Sequence, residues 1–233
     1  KTDLALLEIK ADKTLPYVEF GDSGAVRVGD KVLAIGNPFG LGGTVTAGIV
    51  SATGREIGQG PYEDFLQVDA PINRGNSGGP TFNLRGQVVG VNTAIFSPSG
   101  GSIGIGFAIS SNLAKQIVAD LQDDGKVERG WLGVSIQQVD PDIAASLGMD
   151  KTSGALVAKV EPKSPAASAG IKNRDVIVEF AGKKIETLRD LTRTVASIPA
   201  GKKVDVKVWR DGKMHTVDAT IQQQASTEQV ASN

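Results

Sequence analysis

Asn73-Arg74-Gly75-Asn76-Ser77-Gly78-Gly79-Pro80 is the stretch on which the reading of this chain turns. A serine boxed in by glycines suits a loop whose backbone N–H groups converge on one point beside an accessible hydroxyl. That is the layout of a nucleophile with its oxyanion hole. The same residues also suit a glycine-rich turn between two strands with an incidental serine, and the surrounding sequence has to decide.

Short strands with glycine-rich turns are expected on both sides of the loop, at residues 3–9, 31–36, 44–51, 65–69, 87–95 and 102–109. Many short strands at close spacing argue for an antiparallel barrel or sandwich. Gly104 and Gly106 lie inside a strand pattern and not at a strand-to-helix turn, so they are not a dinucleotide fingerprint. Residues 112–121 carry apolar side chains at helical spacing, with Ser110 and Ser111 as candidate caps and Asp123-Asp124-Gly125 as the stop. A first domain is therefore expected over 1–124 and a linker over 125–129.

From residue 130 to 222 the pattern changes. Strands are expected at 131–136, 154–160, 175–180, 203–209 and 215–221, with short helices at 141–147 and 188–195. Pro165 and Gly170 bracket a further one or two helical turns, and Asp211-Gly212 is a hairpin signal. Together these make a small α+β domain, followed by a polar tail over 223–233 that is expected to be mobile.

Composition narrows the function classes. The 233 residues suffice for two modest domains, and a net charge of −1 with no basic run gives no reason to expect a nucleic-acid partner. No apolar run reaches the length of a bilayer span. The absence of cysteine excludes disulfides, thiolate catalysis and cysteine-ligated metals, and neither a cofactor nor a metal is expected. Lys1, without an initiator Met or a signal segment, reads as a cut.

Four stretches resemble the HtrA (DegP/DegQ) serine proteases, in that family's order and spacing. They are Thr2-Asp3-Leu4-Ala5-Leu6-Leu7, Gly36-Asn37-Pro38-Phe39-Gly40, Asn73 to Gly79, and Gly104-Ile105-Gly106-Phe107-Ala108-Ile109. Gly130-Trp131-Leu132-Gly133-Val134 and the run from Ser164 to Ile177 resemble a bacterial PDZ domain. The resemblance implies a mainly β chain: the C-terminal portion of a chymotrypsin-like double barrel, followed by an α+β PDZ domain.

Ser77 then matches the nucleophile, Gly75, Asn76 and Ser77 the oxyanion loop, and Asp3 the acid that orients the catalytic histidine. Read without the resemblance, Asp3 is an exposed strand-edge carboxylate. The family's histidine lies upstream of that acid, whereas this chain's one histidine, His215, reads as a solvent-facing strand residue. The expectation is a piece of an endopeptidase that is incompetent alone, because a serine hydroxyl needs a base. Pro71, Ile72, Ile95 and Phe96 match the primary specificity pocket, which should be apolar and suit Val, Ala or Leu; filling the barrel core is an alternative for these residues, an equal one for Ile95.

In the PDZ-like segment, Gly130, Leu132 and Gly133 match the carboxylate-binding loop, with Arg129 adding charge. A peptide would add as a strand to Val134 and its neighbours, against the helix from Leu188 to Val195; a tight turn and a packed core strand are the alternative. The family implies quality control of misfolded polypeptides in the bacterial periplasm, by a homotrimer or higher homo-oligomer. A non-catalytic peptide-binding or chaperone-like module is the competing function.

Overall fold

The computed structural model describes residues 3–58, 60 and 62–224. Thr2 and the tail from 225 onward lie outside these described residues. The chain divides between Val127 and Glu128 into two compact units.

In the first unit, period-two alternation turns Val32 and Ala34 of β1 (Lys31–Gly36) inward. They meet Val50 of β2 (Thr44–Arg55), Leu66 and Val68 of β3 (Phe65–Val68), and Val89 of β5 (Val88–Ile95). With β4 (Pro80–Asn83) and β6 (Gly106–Ser110), these strands close an antiparallel barrel in the order β1-β2-β3-β6-β5-β4. Outside the barrel core, Phe65 and Phe107 meet edge to face at 6.2 Å and pack with Ile109 and with Ala114 of α1 (Ser111–Asp124).

Closure has a consequence for residues 3–9. They are not a strand, because every barrel strand already has a partner on each side and no edge is left to pair with. Leu4 packs on the Phe65 cluster, while Leu6, Leu7 and Ile9 stand exposed. The strand expected over 102–109 begins only at Gly106, since Gly104 sits at φ +81° in a turn. The predicted end of α1 holds at Gly125, in the left-handed conformation. Its predicted caps do not: Ser110 donates to Asp64 and Ser111 to the Gly21 carbonyl, and the helix start is met by Ser23 Oγ, which accepts from Asn112 N–H at 3.0 Å. Tertiary partners have outcompeted the local cap.

The second unit contains β7 (Gly130–Trp131), β8 (Val134–Gln138), α2 (Pro141–Ser146), β9 (Ala155–Val160), α3 (Pro165–Ser168), β10 (Val176–Phe180), β11 (Lys183–Lys184), α4 (Leu188–Ala196), β12 (Lys203–Arg210), β13 (Lys213–Thr220) and β14 (Gln222–Gln223). The main sheet runs β13-β12-β10-β9-β8, with β11 on β10, and β14 pairs with β7. Side-chain caps start the helices: Asp140 on α2, Ser164 on α3, and a Thr187–Asp190 capping box on α4. Asp211 and Gly212, both at positive φ, form the predicted hairpin turn. The single strand expected over 131–136 is split at Leu132-Gly133, where Gly133 sits at φ +79°. Leu132, Ile177, Phe180, Leu191 and Val206 centre the core. No helix among the described residues is long and apolar enough to cross a membrane.

Candidate functional site

The serine loop is tied to the end of β1. Asn37 N–H donates to the Gly75 carbonyl at 3.2 Å and Phe39 N–H to that of Arg74 at 2.9 Å. The approach is so close that a Cβ on Gly75, which is at φ +104°, would lie 2.4 Å from the Asn37 oxygen. On the other side the loop is laced to β5: Gly78 N–H donates to Asn92 O, and Asn92 N–H to Gly79 O, both at 2.8 Å. The buried Asn92 side chain also accepts from Thr81 Oγ1 at 2.6 Å. Asn73 Oδ1 accepts Ser102 N–H at 3.0 Å and braces the entry to the loop.

This scaffold sorts the three oxyanion candidates. Asn76 N–H is spent on the Asn73 carbonyl at 3.0 Å, whereas the N–H groups of Gly75 and Ser77 make no hydrogen bond to any described residue. Two unspent donors thus flank an exposed serine. Ser77 Oγ donates to the Thr93 carbonyl at 2.9 Å, and the Thr93 hydroxyl donates to the Asp3 carboxylate in a short hydrogen bond. Thr93 therefore bridges the two residues the sequence singled out. Sequence reasoning missed Thr93 because its contribution is half backbone, and its position in a β5 pattern carries no motif.

Of the expected pocket residues, Ile72 is buried in the barrel core and Ile95 packs against the same cluster, while Pro71 and Phe96 are exposed. The chain's one histidine, His215, is exposed on β13 of the second unit. Among the described residues no group of three Asp, Glu or His side chains could hold a metal ion.

In the second unit, β8 is an edge strand, paired only with β9. Just before it, the carbonyls of Leu132 and Gly133 are bound by Ala166 and Glu161 N–H, but the N–H groups of Leu132 and Gly133 have no partner among the described residues. Gly133 is packed so closely on Ser164 that an added Cβ would meet it at 2.2 Å, which fixes the turn. Val134 and Leu188 pack on the core cluster that holds Leu132 and Val195, so strand β8 and helix α4 flank one apolar surface. Gly130 is engaged with Gln223 in the small sheet, and the Arg129 carbonyl accepts from Gln224 N–H.

A family model described as a trypsin-like peptidase domain matches residues 1–91, and one described as a PDZ domain matches residues 101–221. A protein of Rhizobium meliloti (strain 1021) named "Probable periplasmic serine endoprotease DegP-like" is 58% identical over 95% of this chain and 44% of its own length. One of the same name from Brucella suis biovar 1 (strain 1330) is 59% identical over 95% of this chain and 43% of its own. The chain thus spans less than half the length of these relatives. Among solved structures, "HtrA-type protease AlgW with tripeptide" superposes with a TM-score of 0.81 at 44% identity, covering 95% of this chain and 73% of that one. A serine endoprotease from Yersinia pestis gives a TM-score of 0.62 at 37% identity, covering 94% and 70%.

Proposed function

The chain belongs to the HtrA-type, DegP-like family of periplasmic serine proteases, and we propose that it is the nucleophile-bearing part of an endopeptidase that degrades misfolded polypeptides. In this reading Ser77 attacks the scissile carbonyl, and the N–H groups of Gly75 and Ser77 receive the oxyanion that forms. Asp3 orients a histidine supplied from outside these 233 residues. The observation that carries the reading is the Thr93 bridge, which joins the serine hydroxyl to the carboxylate beside two unspent N–H donors. Pro71, Ile95 and Phe96 line an apolar specificity pocket selecting Val, Ala or Leu, with Ile72 packed behind them in the barrel core. The intact protein acts as a homotrimer or higher homo-oligomer, and its PDZ domain captures peptide C-termini at Leu132, Gly133 and Val134, against Leu188 and Val195.

The first unit holds no histidine to take the Ser77 proton, so the chain alone is expected to be inactive. Incubation with a serine-directed phosphonate tests this: no labelling of Ser77 is expected, and rapid stoichiometric labelling would overturn it. A peptide-binding module without catalysis is the second reading, favoured by the unpaired edge of β8. Labelling of Ser77 in the full-length protein separates the two.

A further inference from the structure

A polar cleft of about 360 Å³ opens in the second unit where the end of α2, the 172–175 turn and the β12–β13 hairpin tip converge. Its lining includes Lys172, Asn173, Arg174, Asp175, Arg210 and Asp211, and no residue of β8 or α4. It is therefore separate from the proposed peptide groove.

The charges in it are unevenly spent. Asp175 is buried and accepts from Arg210 Nε at 2.7 Å, Arg210 Nη2 at 2.6 Å and Lys172 N–H at 2.7 Å, which satisfies its carboxylate. Arg210 Nη2 also donates to the Gly170 carbonyl at 2.8 Å. These bonds fix the guanidinium but leave its Nη1 without a partner among the described residues. The exposed side chains of Lys172 and Arg174 make no ion pair there either. Asn173 Oδ1 is bound by Val160 N–H at 3.0 Å, so its amide NH₂ remains a free donor, as does its backbone N–H. The other acid of the lining, Asp211, makes no ion pair but acts on Arg210 through space, so it competes with any anion for that guanidinium.

Arg174 holds φ +72°, a conformation that suits glycine and strains a longer side chain, as does Asp211 at φ +50° in the same lining. Arg174→Gly would keep the turn and remove the cation, which makes the position a clean probe of the cleft.

We propose that this cleft binds an oxyanion, phosphate or carboxylate, on the fixed Arg210 edge, Lys172, Arg174 and the Asn173 donors. Charge-assisted hydrogen bonds to a guanidinium already held in place lose little freedom on binding.

The test is amide-resolved NMR titration of the full chain at constant ionic strength, with two probes. One is inorganic phosphate; the other is an N-acetylated, C-amidated tetraglutamate peptide, which has no terminal carboxylate for the β8 groove. Saturable shifts at Asn173, Arg174 and Gly212 are expected with at least one probe. Phosphate alone identifies a free oxyanion as the ligand, and a tighter peptide identifies an acidic polypeptide segment. Arg174→Gly relieves the backbone strain, so it should melt no lower than the wild type yet bind about tenfold more weakly. Asp211→Asn should bind more tightly. No saturable shift with either probe, or unchanged affinity in Arg174→Gly, would overturn the proposal.

Discussion

The Thr93 carbonyl accepts the Ser77 hydroxyl at 2.9 Å, and the same residue's hydroxyl holds Asp3. One strand residue thus sets both members of the proposed site. Thr93→Val keeps the shape of the side chain and its carbonyl but takes the hydroxyl from the carboxylate. A hydrogen bond to a charged group contributes about 1.5–3 kcal/mol, so kcat/KM of the full-length enzyme should fall roughly tenfold to a hundredfold. Thr93→Ser should restore most of it. Unfolding midpoints measured alongside distinguish lost orientation from lost fold.

The glycines of the loop are not equivalent, and stability measurements should show it. A Cβ on Gly79 would meet the Ile35 carbonyl oxygen at 2.1 Å and that of Asn76 at 3.0 Å, and neither partner is a side chain that can turn away. Gly79→Ala should cost about 3 kcal/mol, at the upper end for overpacking. Gly78, at φ +83° with open space around it, should lose only about 1–2 kcal/mol on substitution by alanine. Urea unfolding of the first unit's strands, followed by far-UV circular dichroism, gives both values.

These contrasts also mark what could be read in the sequence. Where structure is set by local chemistry, the reading was direct: the Asp211-Gly212 turn, the Gly125 helix end and the Pro165 helix start all stand where the residues placed them. Where a distant partner decides, it failed. Residues 3–9 have the composition of a strand but meet a closed barrel, and Ser110 has the chemistry of a cap but finds Asp64. The short strand Pro80–Asn83 went unread because it directly follows the glycine loop and starts on proline. The serine loop itself was legible; the threonine that braces it was not, because a backbone carbonyl has no sequence signature.

Asp175 and Arg210 form a two-pronged ion pair whose carboxylate is closed to water, with Asp175 1% exposed, while the guanidinium keeps one edge open to the cleft. Arg210→Met should leave a buried carboxylate uncompensated and cost the second unit about 3–5 kcal/mol. Adding Asp175→Asn in the same chain should cost much less than the sum of the single changes. Denaturant midpoints over the double-mutant cycle measure that coupling.

Acid should weaken the first unit through Asp22. Its carboxylate accepts from Asn112 Nδ2 at 2.7 Å and from Gly24 N–H at 2.8 Å, and these bonds hold its pKa below the ordinary carboxylate value. A lowered folded value means that the stabilisation is complete above the unfolded pKa, about 3.9, and is lost as the pH falls through the folded one. The wild type should therefore be more stable than Asp22→Asn at neutral pH, and the two should converge below the folded pKa of Asp22. Thermal melts of both proteins across that range supply the comparison; a gap that widens in acid contradicts it.

The edge of β8 and the unspent N–H groups of Leu132 and Gly133 make a sharper demand on peptide binding than affinity alone. If a C-terminal carboxylate sits on those two donors, amidating the peptide removes the charge but leaves the strand pairing intact. Affinity should then fall at least about tenfold, the effect of one charge-assisted hydrogen bond. Methylating one backbone nitrogen that would face β8 should weaken binding separately, through the strand ladder. Gly133→Ala, which would drive a Cβ to within 2.2 Å of Ser164, should reorient the turn and abolish the preference for the free carboxylate. Fluorescence anisotropy with the free-acid, amidated and N-methylated peptides reads all three effects. Equal binding of acid and amide would show that these N–H groups serve the turn and not a ligand.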